Sequence, residues 1–303
     1  MTEVYHVPVM VREVLTFLAP GRGGVYFDGT LGGGGHTAAI LDAGEAARVI
    51  AVDQDPEALA VAQARLAEYG DRVRFVRANF ADAAEDDAEP LAGALLDLGI
   101  SSRHIDSPER GFTFRTGTPL DMRMSGRGRT AADLLNTLSE AELADIFYHF
   151  GEERRSRRLA RDVVRTRKAQ PFRTSDDLLA AMERALGRLE PQDKARIFQA
   201  LRIAVNDELE ALDRALPALR DRLENDGVLV VLSYHSLEDR RVKDAFREWS
   251  RSCICPPEVL VCQCRGRALG QTLTKKPMPA SDDEVAINSR ARSAKLRAWK
   301  RVA

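Results

Sequence analysis

Short, nearly continuous apolar runs alternate with helical stretches through the first hundred residues. "GVYFD" (24–28), "RVIAVD" (48–53), "RVRFV" (72–76) and "GALLDLG" (93–99) have strand length and little internal polarity. Strands buried on both faces read in this way. Between them, "HTAAILDAG" closes at Gly44, and "PEALAVAQARLAEYG" opens at Pro56 and closes at Gly70. Proline at a helix start and glycine just past its end is the expected asymmetry. The alternation predicts a parallel α/β sheet. Ahead of it, Arg12 and Glu13 sit inside an apolar stretch, which predicts an amphipathic helix after Pro8 and not a signal peptide.

The pattern stops at 107–129, "SPERGFTFRTGTPLDMRMSGRGR", which has neither period. From 130 to about 224 it becomes helical. Ser139 with Glu142 three residues on is a capping-box pattern, and "TSDDLLAAMERALGRL" and "PQDKARIFQALRIAVNDELEALDRALPALRDRL" follow. The strand signal returns with "GVLVVLSYHS" from 227, then a helix from Leu237 to Trp249, a cysteine loop and a tail expected to add two strands. A helical insert therefore interrupts one α/β domain. The expected division is 1–110 with 216–303 for the sheet domain and 111–215 for the insert.

Composition narrows the class. Hydrophobic residues make up 44% and charged residues 30% of 303, as in an ordinary globular protein. No apolar run approaches the ~18 residues of a membrane span. All four cysteines lie between Cys253 and Cys264, which points to a reducing cytoplasm. The net charge of −1 hides a segregation: residues 1–100 carry −9 and the rest +8. A local basic excess of this kind suits a nucleic-acid partner.

The candidate chemistry starts at "DGTLGGGGH" (28–36), between the first strand and the following helix. A glycine loop there brings backbone N–H groups against a ligand at the carboxyl ends of the strands. Asp53 ends the second strand, where a carboxylate can accept both hydroxyls of a ribose. The bland alternative is a tight turn without a ligand. "GGGHTA" (33–38) also satisfies G-x-G-x-x-A, with Asp53 20 residues past Gly33, as in a dinucleotide site. Against that, Asp28 would repel a pyrophosphate but suit the ammonium group of S-adenosylmethionine. No G-x-x-x-x-G-K-[ST] occurs, so a P-loop is excluded. Asp97 would sit at the tip of the fourth strand, and Tyr234, His235 and Ser236 at the tip of the fifth. Asp97 reads equally as a turn former, and His235 as a hydrogen-bonded rim residue.

These stretches together carry a resemblance. "HVPVMVREVL", "DGTLGGGGH", "AVDQDP", "LLDLGISS", "ERGFTF", "PLDMRM", "GEERRSRRLAR", "FQALRIAVNDEL", "SYHSLEDR" and "NSRARSAKLR" follow one another almost end to end. In this the chain resembles the bacterial small-subunit ribosomal RNA N4-cytidine methyltransferase family (RsmH/MraW). The resemblance implies a class I S-adenosylmethionine-dependent methyltransferase, Rossmann-like with a mostly parallel sheet and an all-helical insert domain. It implies S-adenosyl-L-methionine as cofactor and a decoding-centre cytidine of 16S ribosomal RNA as target, in the small ribosomal subunit or a late precursor. It also implies cofactor contacts at Gly34, Gly35, His36, Asp53, Phe80, Asp97 and His104; many members have glutamine at the last position. No membrane partner is expected, and nothing sets the oligomeric state.

The N4 amine of cytidine is a weak nucleophile, because its lone pair is conjugated with the ring. The enzyme must orient it and accept its hydrogen bonds. Asp97 is the first candidate acceptor. A hydroxyl or carbonyl from Tyr234–Ser236 is the second, and Tyr234 could also stack on a base presented unpaired. A C5 mechanism through Cys255 is the weaker rival. No metal is assigned to this site. "CICPPEVLVCQC" (253–264) is either a tetrahedral zinc site or a set of thiols, reduced or in a labile disulfide. Between Arg154 and Lys168 there are eight basic residues and one acid. At ~3.6 residues per turn, Arg154, Arg158, Arg161 and Arg165 would share one helix face, opposite Leu159 and Val163. Residues 290–303 add six basic residues. Runs of this kind are solvated faces or phosphate contacts. Two further functional readings stand beside the methyltransferase: a dinucleotide-dependent oxidoreductase and a non-catalytic ribosome-assembly RNA-binding factor.

Overall fold

The computed structural model describes residues 8–86, 89–101, 104, 107–256, 258, 259 and 261–302. The first two residues of "HVPVMVREVL" and the last of "LLDLGISS" lie outside the described residues. Packing divides the chain into two compact units. One holds the described residues up to Gly99 and from Glu210 on; the other is Ile100–Leu209.

The first unit is built on a single sheet. Helix α1 (Val11–Leu18) precedes β1 (Gly24–Asp28), α2 (Gly35–Ala43), β2 (Ala47–Asp53), α3 (Pro56–Arg65), β3 (Val73–Arg77), α4 (Phe80–Asp86) and β4 (Leu91–Asp97). Helices of the second unit intervene, among them α5 (Ala131–Thr137), α6 (Glu140–His149), α7 (Ser156–Thr166), α8 (Ser175–Leu186) and α9 (Pro191–Asn206). The chain continues through α10 (Glu208–Arg222), β5 (Leu223–Ser233), α11 (Ser236–Trp249), β6 (Gly270–Thr272), β7 (Met278–Pro279), α12 (Asp282–Ile287) and β8 (Lys295–Arg301). The strand order is β3-β2-β1-β4-β5-β8-β6, with β7 on β8. Strands β1 to β5 pair in parallel, and β8 runs antiparallel to β5.

Both sheet faces are covered, which is why the strands lack polar alternation. On one face Tyr26, Val49 and Leu95 pack with Leu18 of α1, Ile40 of α2 and Leu59 of α3. On the other, Phe27, Ile50 and Leu96 pack with Ala84 of α4, Leu216 of α10 and Phe246 of α11. The second unit has its own core, with Leu143, Phe147, Leu159, Val163, Leu178 and Leu201 all fully buried. The capping box at Ser139 and Glu142 forms, and equivalent boxes open α5 at Thr130 and α8 at Thr174. Each such cap supplies acceptors to helix N–H groups that otherwise have none. Among the described residues, no helix is long and apolar enough to cross a membrane.

Three elements differ from expectation. The stretch 191–223 is two helices, because Asp207 takes a left-handed conformation (φ 50°) between them. The tail supplies three strands, one of which, β8, inserts between β5 and β6. A short helix, α4, follows β3 where the pattern had left helix or loop open.

Gly44 ends α2 where it passes the turn before β1. A Cβ there would lie 2.3 Å from Pro20 O, a backbone atom with no room to retreat. Gly44→Ala is expected to cost about 1–3 kcal/mol, the scale of overpacking. Urea unfolding checks this; an unchanged midpoint would show that the turn yields freely.

Candidate active site

The parallel register of β1, β2 and β4 brings three strand-end carboxylates, Asp28, Asp53 and Asp97, to one edge of the sheet. The loop from Gly29 to Gly34 hangs from that edge. Gly29 N–H donates to Leu95 O at 3.0 Å, Leu31 N–H to Val52 O at 2.9 Å, and Gly32 N–H to Asp53 Oδ2 at 2.8 Å. The loop is thus tied to the strands on both sides of β1.

The four glycines have different reasons. Gly32 and Gly34 have φ of 50° and 77°, which favours glycine. Gly34 is also crowded, since a Cβ would meet Leu66 Cδ1 of the chain after α3 at 3.0 Å. Gly35 starts α2 against Pro8, 2.9 Å from an added Cβ. Gly33 is exposed, and nothing lies within 4 Å of a Cβ there. The resemblance makes close approach of a ligand the reason for Gly34 and Gly35; the protein's own packing gives a second reason for each. Gly33 is the glycine left open to an incoming group.

Asp28 also departs from its expected role. It is 1% exposed, and its oxygens accept from Thr37 Oγ1 (2.7 Å) and Thr30 N–H (3.2 Å). It braces the loop from behind and does not face a ligand. Burial raises its pKa, with Thr37, His36 and Thr30 opposing the rise.

Asp53 is half-buried and accepts from Gly32 N–H and, at 2.9 Å, from Asp55 N–H. Asp55 in turn caps α3 through Glu57 N–H. Asp97 has its N–H on Thr30 Oγ1 (2.6 Å), and Oδ1 accepts from Tyr234 Oη at 2.7 Å. Its Oδ2 lies 3.7 Å from His36 Nδ1, and the side chain is 21% exposed. Burial raises the Asp97 pKa, while His36 and the Tyr234 hydrogen bond act against that rise. Burial and the Asp97 charge push the Tyr234 phenol far above its ordinary range, so it remains a donor. The far nitrogen of His36, Nε2, is 2.9 Å from Val9 O, which fixes the ring. Phe80, half-buried, begins α4 beside Gly29.

The remaining predicted residues separate. His235 is the N-cap of α11, with Nδ1 accepting from Glu238 N–H at 3.4 Å. Its Nε2 lies 3.0 Å from Glu238 Oε1, at an angle that makes no hydrogen bond. Glu238 Oε2 also accepts from Tyr234 N–H at 2.8 Å. His235 is thereby tied to the start of α11 through Glu238. Ser236 is exposed in the first turn of α11. His104 belongs to the helical unit, where it is buried against Phe112 with ring centroids 4.6 Å apart. Thr30, Thr37 and Glu238 were not anticipated. Only Glu238 left a signal, standing three residues after the cap at His235 as in a capping box.

The arginine stripe is also revised. Leu159 and Val163 are fully buried, as expected of the inner face. Arg154 precedes α7, however, Arg161 lies 3.5 Å from Glu140, and Arg165 pairs with Asp162. Arg157 and Arg158 are exposed and make no ion pair among the described residues.

A sheet ordered β3-β2-β1-β4-β5 with an antiparallel strand beyond, a glycine loop after β1 and a carboxylate ending β2 together define a class I methyltransferase. The chain belongs to the MraW methylase family, which it matches over residues 3–302. It is 53% identical to the ribosomal RNA small subunit methyltransferase H of Gemmatimonas aurantiaca over 99% of this chain and 96% of that one. The protein of the same name from Heliobacterium modesticaldum is 47% identical, over 98% and 99%. Among solved structures, an rRNA methylase from Streptococcus thermophilus aligns over 100% of both chains at 11% identity and a TM-score of 0.44. The fold assignment rests on the strand order. Membership in a methylase family sets aside the oxidoreductase reading, and S-adenosylmethionine is the cofactor. The residues present fit it: Asp53 and Asp97, the two strand-end carboxylates that keep some exposure, oppose a pyrophosphate and suit a cation, and Gly33 leaves the loop open.

The buried Asp28 makes stability pH-dependent. The fold binds its proton more tightly than the unfolded chain does, so this contribution is fully present below the ordinary carboxylate pKa. It is lost as pH rises through the raised value. Asp28→Asn keeps an acceptor for Thr37 and is expected to flatten the loss of stability as pH rises above the ordinary carboxylate pKa of about 4. Unfolding midpoints across that range check this; a parallel displacement of the whole curve would contradict it.

Proposed function

We propose that the chain transfers a methyl group from S-adenosylmethionine to the exocyclic N4 of a cytidine in the decoding centre of 16S ribosomal RNA. The substrate would be the small ribosomal subunit or a late precursor, in the cytoplasm. The relatives' name supports the substrate class. One observation carries the chemistry: Asp97 is partly exposed at the tip of β4, with Tyr234 hydrogen-bonded to one oxygen and His36 3.7 Å from the other.

When bound, S-adenosylmethionine supplies an electrophilic methyl group on a sulfonium. Gly34, Gly35, His36, Asp53 and Phe80 are the proposed holders, and the family resemblance adds His104 to them. Asp97 accepts a hydrogen bond from the N4 amine and orients its lone pair. It accepts more strongly when ionised, and its neighbours oppose the rise in pKa that burial imposes. Tyr234 fixes Asp97, His235 fixes the start of α11, and Ser236 stands at the same rim. The helical unit, residues 111–215 in the sequence reading, holds the RNA by phosphate contacts, which position without reading sequence.

The direct test is mass spectrometry of 16S nucleosides from a deletion strain. N4-methylcytidine is expected to disappear, to return with the wild-type chain and to stay absent with Asp97→Ala. Full restoration by that variant would remove Asp97 from the chemistry. In vitro, Asp97→Ala is expected to lose at least ~100-fold in turnover, and Asp97→Asn less. Tyr234→Phe removes a hydrogen bond that stabilises the Asp97 anion. The acid limb of its kcat/KM profile is therefore expected to move to higher pH. An unmoved limb would remove Asp97 from the acceptor role.

Arg157→Ala with Arg158→Ala is expected to weaken substrate binding and leave cofactor affinity unchanged. The log–log salt slope would fall by ~1.4 if each side chain meets one phosphate of single-stranded RNA. An unaltered slope would make this face a solvated surface and move attention to the basic tail.

A further inference from the structure

The chain from Ser250 to Leu269 leaves the sheet unit between α11 and β6 without regular secondary structure among its described residues. Its two ends are pinned, since Leu269 N–H donates to Trp249 O at 2.8 Å. Among its described residues, Ile254 is 38% and Val261 74% exposed. An excursion of this length needs some other source of order.

The four cysteines converge inside it. The Sγ atoms of Cys253, Cys255, Cys262 and Cys264 all lie within 4.8 Å of one another. Cys262 and Cys264 are 3.4 Å apart, and Cys264 and Cys253 3.9 Å. A tetrahedron with Zn–S bonds of about 2.3 Å has edges of about 3.8 Å. The backbone is arranged around the sulfurs as well. Ile254, the middle residue of the first C-x-C, donates its N–H to Cys264 Sγ at 3.3 Å. Gln263, the middle residue of the second, donates to Cys255 Sγ at 3.4 Å. Each pair thus supplies a donor to the second sulfur of the other pair, a two-fold reciprocity.

We propose that these four cysteines bind one Zn²⁺ as a closed, structural, tetrahedral site that orders the loop between α11 and β6. Neutral thiols accept hydrogen bonds weakly and give no reason for two such donors. Four thiolates would repel one another without a cation. One zinc with four thiolates carries −2, which the two N–H donors offset in part. The sulfur set suits zinc or iron, but the sulfurs are too close together to enclose a multi-iron cluster. With all four positions taken by protein, the ion has no open site for substrate. The site is separate from Asp97 and the glycine loop in both residues and chemistry.

The test uses the full chain, expressed in zinc-supplemented medium without a metal-binding tag. Elemental analysis is expected to find about one zinc per chain. Replacement by Co²⁺ is expected to produce the intense visible bands of tetrahedral thiolate coordination. Cys262→Ser with Cys264→Ser is expected to lose the metal. Stripping the metal with a mercurial and chelator is expected to raise tryptic cleavage after Arg265 and Arg267 by about ten-fold or more, with the helical unit as resistant as before. Less than about 0.1 metal per chain with four freely titrating thiols, a disulfide by mass, stoichiometric iron, or unchanged zinc in the double variant would each overturn the proposal.

Discussion

Three neighbouring parallel strands end in aspartate, and the rest of the site follows from how that crowding of charge is relieved. Like charges at one sheet edge are tolerated only where each is given its own stabilisation. Asp28 is buried and held by Thr37 and Thr30. Asp53 accepts backbone N–H groups from Gly32 and Asp55. Asp97 keeps partial exposure and is flanked by a phenol and an imidazole. The three carboxylates thereby take three roles: a brace, a loop anchor and a chemical group. The negative charge of Asp53 and Asp97 at that edge favours a cationic cofactor over a pyrophosphate.

The glycine loop turns that electrostatic arrangement into a shape. Its hydrogen bonds run to β4, to the end of β2 and to Asp53, so a shift of the loop would disturb all three carboxylates together. Thr30 is the link that joins them, giving its N–H to Asp28 and its hydroxyl oxygen to the N–H of Asp97. A change behind the loop would therefore be felt at Asp97 through two short hydrogen bonds.

The rim at the end of β5 works by division of labour. Glu238 gathers the N–H groups of Tyr234 and His235, which leaves the Tyr234 phenol directed at Asp97. The histidine that looks most reactive in the sequence is taken up by capping a helix. The tyrosine beside it carries the contact that matters for charge.

Local signals were fully legible. The parallel strands, the glycine loop, the capping box at Ser139 and the inward positions of Leu159 and Val163 depend on neighbours within about two turns of chain. The candidate carboxylates were legible too, because strand ends and loop order follow from the same periodicity. Contacts between distant residues were not. Asp97 and Tyr234 are 137 positions apart, and only the pairing of β4 with β5 brings them together. Arg161 looked solvated until α6 packed beside α7 and set Glu140 near it. The break at Asp207 and the insertion of β8 between β5 and β6 have no local period to announce them. The same division holds for the cysteines: their spacing can be read along the chain, but whether the two C-x-C pairs meet depends on a loop fold that no short-range pattern specifies. Periodicity and caps act over a few residues, whereas charge neutralisation, burial and sulfur convergence depend on which surfaces pack together.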